Sequence, residues 1–292
     1  MGAFEVVEPQ PELADAHVFA ILRPWIDAGS VGSLTLTWLE KSTGARRLAE
    51  IARPGSYFDF TRYRPVLYRN EGRRQVMIPN TYVTYGRREN GGDFLFLHLL
   101  EPHALGEEYV DSVAELLLRF HARRYCLLGS MYDFVPHTRP LLVTGGSETP
   151  AIRLELERLG VSQSDYEGPT TICHLITQKL AEHEVESMTM LVRLPQYTQL
   201  EEDYMGIVRL EEIIASLCGI EVDDQHLEKA AWQRQHVTSL VAKNPQMQEI
   251  IDELESTYDA GIKEKKAAED SRPLSPEVEE FLKEMERKFR RE

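Results

Sequence analysis

Apolar positions in this chain fall into short runs separated by turns, and between residues 17 and 220 the runs alternate between the two periods expected of strands and helices. His17 to Leu22 is a compact apolar run closed by Arg23-Pro24, the shape of a buried strand. Leu34 to Glu40 crowds its apolar residues as a buried helix does, after a turn carrying Gly29 and Gly32. Leu48 to Ala52 reads as a second strand. Pro65 to Arg69 and Arg74 to Pro79 flank Asn70-Glu71-Gly72-Arg73, which predicts a hairpin. Asn90-Gly91-Gly92-Asp93 marks a turn before the strand Phe94 to Leu100. Glu107 to Ala122 then sets Val110, Val113, Leu116, Leu117 and Phe120 along one side of an amphipathic helix.

The alternation continues. Strands are expected at Tyr125 to Leu128, Leu141 to Thr144 and Met188 to Leu194, with helices at Pro150 to Leu159, from about Thr171 to Glu182, and at Ile207 to Leu217 before Gly219. Strands and helices in turn, joined by short loops, predict an α/β domain whose mainly parallel sheet is covered on both faces. The ends differ from this middle. Residues 1–16, rich in Pro and Glu, are expected to be a loose lead-in to a core spanning 17–220. Over 221–262 two helices, His226 to Lys243 and Gln246 to Tyr258, meet at Asn244-Pro245, where Asn suits an N-cap and Pro the first turn, so a helical hairpin is expected. Residues 263–274 read as a charged linker, and 275–292 as a last amphipathic helix carrying Val278, Phe281, Leu282, Met285 and Phe289.

Charge narrows the partners. Over 292 residues, Asp+Glu 48 against Lys+Arg 33 gives a net charge of -15, which disfavours nucleic acid. The three cysteines, Cys126, Cys173 and Cys218, sit singly in apolar segments with no metal-ligand spacing, as small buried hydrophobes of a reducing compartment do. The acidic N-terminus lacks a signal pattern and no apolar run approaches a membrane span, so a cytoplasmic protein is expected, with no membrane partner. HExxH, paired CxxC, EF-hand and nucleotide-loop patterns are absent, and neither metal nor cofactor is expected.

The densest chemistry lies between the strands at Tyr125 and Leu141, where Asp133, His137 and Arg139 stand on backbone stiffened by prolines. If the sheet is parallel, loops after its strands gather at the carboxyl edge and bring Glu101, His103, Asp133, His137, Arg139, Glu148, Glu167 and Tyr197 together. An enzyme of nucleoside hydrolase or phosphorylase type can be drawn from these. Asp133 or His137 would be the acid and Glu167 would orient a ribose hydroxyl. Arg139 would clamp an anion, with Gly145, Gly146, Gly168 and Tyr197 completing the ligand site. The competing reading is structural: the same groups hydrogen-bond to fix a buried loop, and Glu167 caps a helix. The structural reading is the stronger. The aromatic patch Tyr57-Phe58-Asp59-Phe60 with Tyr63, beside the arginine-bearing hairpin, reads as a subunit interface.

Several motifs taken together carry a resemblance. Pro136-His137-Thr138-Arg139-Pro140 with Val143-Thr144-Gly145, Tyr166-Glu167-Gly168-Pro169-Thr170, Leu194-Pro195-Gln196-Tyr197 and Leu254-Glu255-Ser256-Thr257-Tyr258-Asp259 resemble the proteasome-assembly-chaperone-like family of bacteria and archaea, over most of residues 17 to 260. The resemblance implies a three-layer α/β sandwich similar to purine nucleoside phosphorylases, a helical C-terminal extension, and homo-oligomers, with trimers favoured. It implies an assembly or scaffold factor with a protein client; the nucleoside- or phosphate-binding enzyme is the alternative. Some relatives that dock on proteasomes end in a hydrophobic-Tyr-any tail. This chain ends Lys288-Phe289-Arg290-Arg291-Glu292, so docking through that tail is not expected.

Overall fold

The computed structural model describes residues 2–88 and 92–270. Asn90 and Gly91 of the expected turn, and the expected helix at 275–292, lie outside the described residues. The described residues fall into two compact units, one up to Lys243 and one from Asn244 onward.

The first unit is built on a nine-stranded sheet with the order β1-β3-β6-β7-β2-β8-β11-β9-β10. Its centre is parallel. β2 (Ala16–Arg23) lies between β7 (Phe94–Leu100) and β8 (Ala122–Asp133), and β8 pairs in turn with β11 (Glu186–Pro195), all in one direction. Antiparallel strands flank that centre: β6 (Tyr82–Gly86), β3 (Arg46–Ile51) and β1 (Phe4–Val6) on one side, and β9 (Val143–Gly146) on the other. β10 (Val161–Gln163) closes the far edge parallel to β9. Two corrections to the sequence reading sit here. The stretch expected to be a loose lead-in contributes β1, which pairs Phe4 with Ile51, and β8 is far longer than the strand expected at Tyr125 to Leu128.

Both faces of the central strands are buried, as continuous apolar runs in a parallel sheet demand. Side chains alternate between two cores. Val18, Ala20 and Leu22 of β2 and Leu95, Leu97 and Leu99 of β7 enter one, against α2 (Gly106–Arg119) and α4 (Ile172–Ala181). Phe19, Ile21, Phe94 and Phe96 enter the other, with α1 (Val31–Ser42), α3 (Pro150–Arg158) and α5 (Tyr204–Cys218). Helices on both faces of one sheet make the three-layer α/β sandwich expected. Full burial of each such side chain contributes about 1.5–3 kcal/mol, so the two cores are the main source of stability. Cys126 and Cys173 are buried among them as free thiols whose ionisation burial disfavours, that of Cys173 pushed up to about 12.

Glycine is required where backbones meet. The turn before α1 holds Gly29 at φ 58, with Asp203 at the start of α5 so close that an added Cβ would lie 2.8 Å from the aspartate Cβ. The Asp203 N–H donates to the Gly29 carbonyl at 2.8 Å, so this turn joins two helix starts. Gly145, inside β9, would place a Cβ 1.8 Å from the Thr189 carbonyl of β11.

α6 (Asp224–Val241) completes the first unit, capped by Asp223 and tied to α5 by the buried Glu211, whose carboxylate accepts from His226 Nδ1 at 2.6 Å. Burial pushes the Glu211 carboxyl above its usual range. In the second unit, α7 (Pro245–Asp270) starts as expected, with Asn244 Oδ1 accepting the N–H groups of Gln246 and Met247. It runs on through residues 263–270, which are helix where a linker was expected.

Two outcomes follow. Gly145→Ala should cost about 3 kcal/mol, because Thr189 is backbone and cannot move aside; an unchanged urea midpoint would contradict the close approach. Acidification should also destabilise the fold. Burial lowers the affinity of His98 and His17 for protons, reinforced at His17 by Arg124, so the unfolded chain takes up protons near pH 6.5 that the native state refuses. Stability is then full above that pH and is lost as pH falls. In His98→Gln the melting temperature should fall less between pH 7 and 5 than in the parent, and parallel curves would count against the assignment.

Candidate functional site

The parallel centre places the ends of β2, β7, β8 and β11 along one edge, where the sequence analysis looked for chemistry. β7 delivers Glu101, Pro102 and His103. Glu101 Oε1 accepts the N–H of Ile172 at the start of α4, at 3.0 Å, and so serves as a cap from a distant strand. Its Oε2 is buried without a partner among the described residues, and burial raises its pKa. His103 Nδ1 accepts the Asp59 N–H at 3.2 Å, and its ring meets Tyr63 edge-on at 4.9 Å. These groups line an open cleft of about 660 Å³ with Trp25, Tyr57 and Phe58. Tyr57 and Phe58, read from sequence as an interface patch, are instead buried in the core beside Tyr109.

The Asp133 to Arg139 loop is assembled differently from an acid–base site. Asp133 ends β8, and its Oδ2 accepts from Arg193 Nη1 of the neighbouring β11 at 2.7 Å, while Oδ1 accepts the Phe134 N–H. That carboxylate is neutralised by a cation the sequence analysis did not single out. His137 is fully buried. Its backbone N–H donates to the Tyr197 hydroxyl oxygen at 2.7 Å, and its Nδ1 is hydrogen-bonded to the same hydroxyl, also at 2.7 Å. Nε2 is hydrogen-bonded to Thr238 Oγ1 of α6 at 3.0 Å. One imidazole thereby joins the loop after β8, the loop after β11 and α6. Arg139 is half-buried two residues on.

The remaining candidates disperse. Gly145 and Gly146 lie within β9, in register with Met190 and Thr189 of β11, where they form part of the sheet and no loop for an anion. Glu148 is exposed, 4.0 Å from Arg153. Glu167 and Gly168 belong to the exposed passage before α4, where the Tyr166 hydroxyl donates to the Pro169 carbonyl at 3.0 Å. The expected helix cap from Glu167 is supplied by Glu101 instead. Large apolar side chains project from the same edge: Trp25 after β2 is 61% exposed and Phe134 after β8 is 76% exposed. No sequence pattern marked either, because each lies in a loop outside the periodic apolar runs. Among the described residues no group of His, Cys, Asp or Glu is placed to hold a metal, and no helix is long and apolar enough to cross a membrane.

A family model, that of the PAC2 family, matches residues 21–241. The chain belongs to the PAC2 family. That span takes in every central strand from Ile21 onward and ends in α6, the helix that holds His137. No curated protein matches the chain in sequence. Solved structures share the PAC2 fold seen here. A Mycobacterium tuberculosis protein of unknown function is 24% identical, with a TM-score of 0.77 and 92% of each chain covered. A Mycobacterium tuberculosis proteasome-assembly chaperone homologue is 21% identical, with a TM-score of 0.71 over 80% of this chain and 99% of its own. Pyrococcus furiosus PbaB, an archaeal proteasome activator, is 15% identical, with a TM-score of 0.61 over 82% of this chain and 99% of its own.

Within this PAC2 protein, Tyr197→Phe removes one hydroxyl and strips two partners from His137. It should cost about 1–3 kcal/mol while leaving far-UV circular dichroism unchanged. A variant as stable as the parent in urea would show that the buried histidine does not depend on that hydroxyl.

Proposed function

We propose that this PAC2-family protein is a cytoplasmic, homo-oligomeric assembly or scaffold factor, trimeric in its working form, that acts through protein–protein contact. One observation carries the reading. In the loops after β8 and β11 at the carboxyl edge, Asp133 is paired with Arg193 and His137 with Tyr197 and Thr238, while Trp25 and Phe134 face solvent. Exposed aromatic side chains on a rigid scaffold are the usual anchors of protein interfaces, where a few of them supply most of the binding energy. A substrate site needs the reverse arrangement, with apolar walls and accessible polar groups.

The client is proposed from the family. A proteasome-assembly chaperone homologue and an archaeal proteasome activator share this fold, which makes a proteasome particle and its separate subunits the first clients to test. The enzyme alternative has less behind it. Of its two candidate acids, His137 is sealed between Tyr197 and Thr238, and Asp133 is held by Arg193.

Binding of the full chain to purified proteasome particles and to their isolated subunits, followed by biolayer interferometry, checks the proposal. Trp25→Ala and Phe134→Ala should each weaken binding by tenfold or more without altering the fold, a loss of about 1.4 kcal/mol or more. Unchanged affinity in both variants would remove this edge as the contact. A panel of nucleosides and phosphate should leave the melting temperature where it is; a rise of about 2–4 °C would restore the enzyme reading.

A further inference from the structure

β2 and β7 lie side by side and run parallel, yet the helices that follow them go to opposite faces of the sheet, α1 to one core and α2 to the other. Their connections part at the carboxyl ends of the two strands, and in open α/β sheets a crevice of that origin is where ligands bind. Here it is the cleft of about 660 Å³ between Trp25, which follows β2, and Glu101 and His103, which follow β7, with Tyr57 and Tyr63 of the loop after β3 as a third wall. A volume of this size suits a small organic molecule.

The walls select the charge. Trp25, Tyr57 and Tyr63 are aromatic, and aromatic rings attract cations, tryptophan most strongly. Asp59 and Arg62, which also line the cleft, stand 3.8 Å apart and offset each other. That leaves Glu101. One of its oxygens accepts the Ile172 N–H, and the other, Oε2, is buried with no partner among the described residues. A buried carboxylate oxygen without a donor carries a cost that a bound donor removes. Glu108 accepts the Tyr57 hydroxyl at 2.7 Å and brings a second negative charge to the same wall. The two helix starts nearby that would draw an anion are already met, α4 by Glu101 and α2 by Glu107 and Glu108 in its first turn. A chain with a net charge of -15 also steers cations toward itself.

We infer that this cleft is a binding site for a small organic cation, an alkylammonium or guanidinium group whose N–H donates to Glu101 Oε2 while its carbon chain lies against Trp25 and Tyr63. The site takes no residue from the loop that carries Asp133 and His137. It shares Trp25 with the proposed protein contact but not Phe134, so the two can be tested apart.

Isothermal titration calorimetry on the full chain tests the site, with n-butylammonium, agmatine and tetramethylammonium as cations and butyrate and 1-butanol as anionic and neutral counterparts. The first two should bind about tenfold or more tighter than either counterpart, and tetramethylammonium, which has no N–H to donate, more weakly than n-butylammonium. Glu101→Gln keeps an oxygen for the Ile172 N–H, and with it the fold, but should weaken n-butylammonium about tenfold or more. Trp25→Ala, at an exposed loop position, should do the same, and it carries the test if the first variant does not fold. Phe134→Ala should leave cation affinity unchanged, although the assembly reading has it weaken client binding. No cation binding at millimolar concentrations, or equal affinity for butyrate, 1-butanol or tetramethylammonium, would overturn the site. Cation binding that survives in both Glu101→Gln and Trp25→Ala would place it elsewhere on the acidic surface and overturn the assignment as well.

Discussion

The parallel ladder between β8 and β11, from Arg124 with Glu186 to Asp133 with Pro195, is the constraint on which the rest depends. Parallel strands cannot be joined by a tight turn, so the chain must leave the sheet and return, and the crossovers supply the helices that cover it. β2 lies on the other side of β8 and carries the same requirement to β7. β2, β7 and β8 are buried on both faces for most of their length, which disfavours charged side chains within them. The ion pairs of the ladder, Arg124 with Glu186 and Arg193 with Asp133, stand toward its two ends.

That placement accounts for the appearance of the carboxyl edge. Arg193 lies two residues before the end of β11, opposite Met131, and reaches diagonally to Asp133 at the end of β8. The pair sits where the ladder stops and water begins, and fixes the direction in which the following loop leaves. His137 then ties that loop to Tyr197 and to α6. Glu101 does comparable work on the other side, joining the end of β7 to the first turn of α4. An acid, a histidine and an arginine close together in sequence thus become separate connections among four elements. Titratable groups gather at strand ends in catalysts as well, and only their partners tell the two uses apart.

The layer order was legible from the run of apolar residues, because burial on both faces leaves a continuous signature over Phe94–Leu100 and Ala16–Arg23. The flanking strands were less so. β1 is three residues long and holds its place through Phe4 beside Ile51, a pairing that no local pattern encodes. The candidate site was read as a list of residue types, and its geometry depended on contacts more than fifty positions apart, such as Asp133 with Arg193 and His137 with Thr238. Gly145 and Gly146 show the same limit. Glycine pairs suit an anion loop and a tight strand crossing equally, and the choice was made by Thr189, more than forty residues away. The hairpin was legible in outline from Asn70-Glu71-Gly72-Arg73, but not its isolation from the main sheet.

That isolation separates two kinds of surface. A net charge of -15 surrounds the protein with a field that repels like charge over roughly a Debye length, about 8 Å at physiological salt. Residues 62–78 carry the opposite sign, five arginines against Glu71, on a strand pair that belongs to neither core. The buried strands answer to packing and the hairpin does not, so sequence can change in the hairpin while the sheet and its buried strand-end connections stay as they are.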